Sequence, residues 1–204
     1  MTKKETKVWL DKNQIQILEE SCKRLKDRAI VQLGAWVGLR ANEIAGVKVS
    51  DLREYNIENG LQHFLRVSGK RTNQPKGKGL KKEREAYVPN RIYSDLIMLK
   101  NENTLKEKDP LVPNKFGDHY TPDGIRERVY SVSKLAYDRT SDQDFKYVSS
   151  HDLRRFFAHY NLEELGKNPR VIMNVGGWDS WEAIEPYLEK PSRNAIVREL
   201  NNLG

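Results

Sequence analysis

The segment HDLRRFFAHY, residues 151–160, sets a histidine and two arginines within five positions, beside an aromatic pair. On a helix, His151 and Arg154 lie one turn apart and point the same way. A guanidinium donates two hydrogen bonds to phosphate oxygens in a fixed fork. An imidazole next to it can add a third bond or shuttle a proton. The chemistry that suits this pair is holding a phosphate, or holding one while it is attacked. Alone, His-x-x-Arg also fits a surface or capping pair. A second arginine, Arg40 in GLRANEIAGVKVSDL (38–52), follows a glycine break after an apolar stretch, and Glu43 sits three residues on to orient it. By itself that pair reads more simply as a structural ion pair at a helix start.

The elements that must position these groups are legible in outline. Residues 11–25 read as a helix with a capping-box start at Asp11 and Gln14 and with Ile15, Leu18 and Cys22 on one face. Asp27 is expected to cap a second helix, RAIVQLGAWV, apolar on most sides and therefore buried, which Gly38 ends. ANEIAGV reads as a short helix. HFLRVSG and REAYVP read as two strands joined by a long basic loop. RIYSDLIMLKNE and TPDGIRERVYSVSKLAYD read as helices, the latter with Ile125, Val129, Val132 and Ala136 on one stripe. Ser149 or Ser150 caps HDLRRFFAHYNLEELG, and Gly166 closes it. Asn168 and Pro169 open RVIMNV, and Gly176-Gly177 stop it. Asp179 with Glu182 caps SWEAIE before Pro186 interrupts. The tail, 188–204, places Ile196, Leu200 and Leu203 on one face. The expected fold class is α+β, mostly helical, with a small antiparallel β-sheet.

Composition narrows the function. The 204 residues suit one domain, and no apolar run approaches the ~20 residues that span a membrane. The N-terminus lacks an apolar signal region, and a lone cysteine, Cys22, excludes an intramolecular disulfide and a CxxC metal site. A reducing, cytoplasmic compartment is expected. The net charge of +7 is concentrated: residues 66–84 hold eight Lys/Arg against one Glu, leaving the remainder neutral overall. That density suggests a polyanion partner, although a solvated loop kept soluble by charge has the same composition.

Read together in order, these segments resemble the catalytic domain of the tyrosine recombinases, the phage-integrase family. VGLRANE matches the family's arginine box through Arg40 and Glu43. VSGK puts Lys70 where a lysine follows the second strand. HDLRR supplies His151 and Arg154, and GGWDSWEAIEPY sets Trp178 nine residues before Tyr187. The resemblance runs from about residue 9 to 190, and the GGW…AIEPYL wording looks closest to archaeal and archaeal-virus members. There are departures. The sequence begins at the catalytic domain, without the family's N-terminal arm, as expected of either a minimal member or a fragment. GKGLKKER copies the lysine turn as well as SGKR does, so Lys78, Lys81 and Lys82 compete with Lys70. Arg154 and Trp178 are one residue further apart than is usual, an offset that a loop at 166–168 would absorb.

The resemblance implies a site-specific recombinase or integrase acting on duplex DNA. Arg40 and Arg154 would bracket the non-bridging oxygens of a phosphodiester, with Trp178 adding its indole N–H, a donor only. Tyr187 would be the nucleophile, His151 would handle its proton, and Lys70 would protonate the leaving 5′ oxygen. The product would be a 3′-phosphotyrosyl enzyme formed without metal, ATP or other cofactor. Arg71, Lys76, Lys78, Lys81, Lys82, Arg84 and Arg155 are expected to meet DNA. His63, His119 and His159 are taken as structural. Partners would be DNA, at the nucleoid, and further copies of the chain assembling on it as dimers or tetramers, weakly associated or monomeric without DNA; the tail after Tyr187 is a candidate for docking into a neighbour. Two alternatives share the fold: a catalytically silent or regulatory DNA-binding protein, and a type IB topoisomerase-like relaxing enzyme.

Overall fold

The computed structural model describes residues 7–71 and 81–188, with isolated positions 197, 200 and 201; at 69–71 and 81–82 it describes the backbone alone. Helix α1 (Lys12–Ser21) starts on the expected capping box: the Asp11 carboxylate accepts from the Gln14 amide at 2.8 Å, and Gln14 Oε1 accepts from the Asp11 N–H at 3.0 Å. It stops short of residue 25 because Cys22 turns to extended backbone. Helix α2 (Leu25–Ala35) then begins two residues before Asp27, so Asp27 is not its cap. The carboxylate sits instead in the first turn, where it complements the helix dipole and pairs with Arg24 at 2.9 Å and with both arms of Arg128 at 2.8 Å.

Helix α2 is buried on nearly every side, as its apolar sequence requires, and forms the centre of the molecule. Helix α6 (Ser150–His159) crosses it at close range: a Cβ on Gly34 would lie 3.0 Å from Leu153. Gly38 ends the α2 segment at φ +75°, with the Phe157 ring only 2.6 Å from where a side chain would start. That conformation and that contact both require glycine.

After α3 (Ala41–Gly46) comes a three-stranded antiparallel sheet in the order β1 (Leu52–Ile57), β2 (Gly60–Arg71), β3 (Lys81–Val88). The sequence pattern does not announce the first strand. All but its first residue are exposed, so it lacks the in-out alternation that marks a half-buried strand. Its signal is the Asn59-Gly60 pair, which closes a tight turn with Gly60 at φ +87°. On β2 and β3 alternation holds: Leu65, Val67, Ala86 and Val88 are fully covered, and Arg84 falls on the same inward parity.

Helices α4 (Asn90–Glu102) and α5 (Pro122–Thr140) complete the main core, α5 burying the Ile125, Val129, Val132 and Ala136 stripe. Ser149 is the cap of α6. Its N–H donates to the Asp152 carboxylate at 2.8 Å, and the other oxygen of that carboxylate accepts from the Val8 N–H at 3.1 Å. Beyond α6 the chain makes a π-helical turn over Tyr160–Glu164, with the Leu165 N–H reaching the Tyr160 carbonyl at 3.0 Å. The extra length expected in loop 166–168 therefore has an irregular turn ahead of it, of the kind that accommodates an inserted residue.

Helix α7 (Pro169–Gly176) starts on Asn168 and ends at Gly177, φ +69°. Helix α8 (Trp181–Ile184) is capped by Ser180 rather than Asp179 and passes into a 3₁₀ turn, Glu185–Tyr187, that Pro186 enforces. A second, small core of Phe157, Ala158, Ile172, Trp178 and Ile184 holds this segment down, with Tyr187 packed against its edge. Ile196 and Leu203 of the proposed tail face lie outside the described residues. Among the described residues no helix is long and apolar enough to cross a membrane.

Candidate active site

Arg154 is the largest fully buried side chain among the described residues, 1% exposed. The α6 face that carries it is pressed on α2, and its guanidinium donates to the carbonyls of Gly38 and Gly176, the latter at 2.7 Å. These two carbonyls come from the glycine breaks that end the α2 segment and α7, so both breaks serve the same arginine. The Trp178 ring lies 3.7 Å from the guanidinium carbon, a cation–π contact within a desolvated pocket. Trp178 in turn stacks on Phe157 and meets the Tyr187 ring edge-on at 5.4 Å. Tyr187 is itself 5.9 Å from the Arg154 guanidinium, measured to its ring centre. The Arg154 Nε–H has no partner among the described residues. Burial, then the charge of Arg40, push the Arg154 pKa down to about 9, against opposing pulls from Glu43 and Tyr187. A desolvated cation with an unpaired donor is stabilised by any anion that enters beside it.

Arg40 comes from the opposite wall. It is the residue immediately before α3, where its backbone N–H donates to Glu43 Oε2 at 2.8 Å and its Nη1 donates to Glu43 Oε1 at 3.0 Å. Its Nη2 donates to the Gly177 carbonyl at 2.9 Å, leaving the head a third exposed. Glu43 is 4% exposed. Burial raises its pKa, but hydrogen bonds and charge from Arg84, then from Arg40, outweigh burial and hold it below its ordinary 4.5. Arg40, Arg154, Trp178 and the exposed His151 line one cleft of about 520 Å³.

The other expectations fare differently. The backbone of Lys70 lies inside β2, at a register irregularity between Ser68 and Arg71, and not on a turn after the strand. Its side chain lies outside the described residues, as do those of Arg71, Lys81 and Lys82 and the whole of Lys76 and Lys78. Arg155 is not a free DNA contact: it is 8% exposed, paired with Asp152, bonded to the Val8 carbonyl at 3.2 Å and set over the Trp9 ring. It anchors the N-terminal segment to α6. Arg84 lines the same cleft, but its guanidinium is turned inward. Its side chain is 9% exposed and donates twice to Glu43, at 2.8 and 3.0 Å, and through Nε to the Val175 carbonyl at 2.8 Å. Strand parity carries that signal, since Arg84 alternates with Ala86 and Val88. Of the remaining histidines, His63 stacks on Tyr93 and His159 meets Trp9, while the exposed His119 sets its Nδ1 2.8 Å from the Ala45 carbonyl.

Two guanidiniums brought to one cleft from α3 and α6, beside a tyrosine held by the segment after α7, is the arrangement expected of a tyrosine-recombinase catalytic domain. Comparison with known proteins agrees: residues 8–193 match the Phage integrase family, and the chain belongs to it. It is 30% identical over 156 residues to the tyrosine recombinase XerC of Natranaerobius thermophilus, which covers 75% of this chain and 47% of that protein. The chain spans about half the length of the curated relatives it matches. Among solved structures, XerA recombinase superposes with a TM-score of 0.72 at 20% identity, over 97% of this chain and 66% of that one. The XerH recombinase bound to palindromic difH substrate, a post-cleavage complex, gives 0.69 at 19%, over 98% and 54%. At these identities the superpositions speak for the fold.

Proposed function

We propose that this domain cleaves and rejoins duplex DNA as a site-specific recombinase or integrase, through a covalent 3′-phosphotyrosyl intermediate. The observation that carries the reading is the convergence of Arg40, His151, Arg154 and Trp178 on one cleft, with Tyr187 packed against Trp178 beside the Arg154 guanidinium. The Tyr187 oxygen attacks the phosphorus in line, and the bond to the 5′ oxygen breaks. The phenolic proton passes to His151, and the departing 5′ oxygen takes a proton from a lysine of the β2–β3 hairpin, for which Lys70 remains the candidate. Charge that builds on the non-bridging oxygens is met by Arg40 and Arg154, and one such donor is worth about 3 kcal/mol of barrier. The ester conserves bond energy, so religation to another strand needs no nucleotide.

Duplex DNA is the proposed substrate, by analogy with the XerH recombinase on its palindromic difH site, and assembly of several copies on DNA is proposed with it. The test uses a pool of nicked duplexes randomised around the nick, so that the broken strand cannot religate. Wild-type protein should leave a protein–DNA adduct on a denaturing gel, with a free 5′-hydroxyl on the released piece, and Tyr187→Phe should leave none. An adduct that survives Tyr187→Phe overturns the assignment.

A further inference from the structure

We propose that Arg84 is a positioning residue: by saturating Glu43 it fixes the guanidinium of Arg40 in the cleft. The proposal rests on the recombinase reading above. A carboxylate offers about four acceptor positions. Glu43 uses all of them on two residues: the Arg40 N–H and Arg84 Nη2 share Oε2, and Arg40 Nη1 and Arg84 Nη1 share Oε1, all at 2.8–3.0 Å. Without Arg84, the carboxylate of a side chain only 1% exposed loses half its donors. It would then turn to recover them, and the fixed acceptor under Arg40 would disappear.

The same guanidinium also reaches α7. Its Nε donates to the Val175 carbonyl, and the next two carbonyls, of Gly176 and Gly177, accept from Arg154 and Arg40. One planar group therefore joins β3, α3 and the turn that holds both candidate arginines. The fit is close: a Cβ on Gly177 would stand 2.9 Å from Arg84 Nε. Three bonds in fixed directions suit the rigid fork of arginine and not the point charge of lysine. Arg84 pairs with Val67 across the sheet, three residues before Lys70 on β2. The joint thus ties the hairpin carrying the candidate general acid to the arginine opposite.

The test compares wild type with Arg84→Lys, which keeps the charge Glu43 needs and so should fold, and Arg84→Gln, which removes it. Arginine-selective NMR reads rotation of the Arg40 Nη groups: it should be restricted in wild type and freed in Arg84→Lys. Arg40 remaining fixed in that variant overturns the proposal. In single-turnover adduct formation, on the best duplex recovered from the randomised pool, both variants should be about 100-fold slower, the loss typical of a misplaced catalytic group. DNA affinity and its salt dependence should not change. An unchanged rate overturns the proposal. So does weaker binding with a salt slope reduced by about one, the signature of a phosphate no longer held by the protein. If wild type forms no adduct on any duplex, the recombinase reading fails, while the NMR result still decides whether Arg84 fixes Arg40.

Discussion

Glu43 illustrates how a residue readable as half of a structural ion pair at a helix start becomes a buried hub. Its side chain is 1% exposed and shared by two arginines. Replacing one member of a buried pair leaves the partners' charge uncompensated and typically costs about 3–5 kcal/mol. Because the folded pKa of Glu43 lies below its ordinary 4.5, the unfolded chain binds its proton first. The stabilisation is therefore complete above pH 4.5 and is lost as the pH falls below that value. Thermal melts of wild type and Glu43→Gln should differ widely near neutrality and draw together in acid; a gap that stays constant with pH would contradict this. The arginine box and the His-x-x-Arg pair are readable from residue type and spacing. The partners of Arg154, by contrast, are backbone carbonyls of Gly38 and Gly176, and no side-chain pattern announces a carbonyl acceptor.

At the level of elements, the glycine breaks do most of the positioning. Gly38 turns the chain out of α2 so that its carbonyl meets Arg154, and the Phe157 ring of α6 fills the space a side chain would take. Gly38→Ala should therefore lower stability by at least the roughly 1–2 kcal/mol of a left-handed backbone conformation, and adduct formation should slow with it. Calorimetry and the nicked-duplex assay check the two effects; retention of both stability and rate would show that α6 can move away without consequence. Helix caps at Asp11, Asn168 and Ser149 are visible in the sequence because capping is local. The cap positions expected at Asp27 and Asp179 are taken by Arg24 and Ser180. Asp27 is drawn into the first turn of α2 by Arg24 and Arg128. Strand β1 escapes a sequence reading because burial of one face, the basis of strand reading, is absent there.

For the whole molecule, the net charge of +7 carried by residues 66–84 predicts that the proposed DNA binding is largely electrostatic. Replacing 72–80 with a short neutral turn removes Lys76 and Lys78. It should weaken DNA binding and reduce the slope of log affinity against log salt by about 0.9 for each phosphate that the protein no longer neutralises; an unchanged slope would leave that segment without a role in binding. The central claim concerns one tyrosine among nine. Tyr187 is the one packed against Trp178 beside the buried Arg154 guanidinium, and it alone should become esterified to DNA. The most direct measurement is a peptide map by mass spectrometry of the adduct trapped on nicked duplex. It should show the nucleotide remnant on the peptide holding Tyr187. A remnant on any other tyrosine, or on serine, would contradict the account.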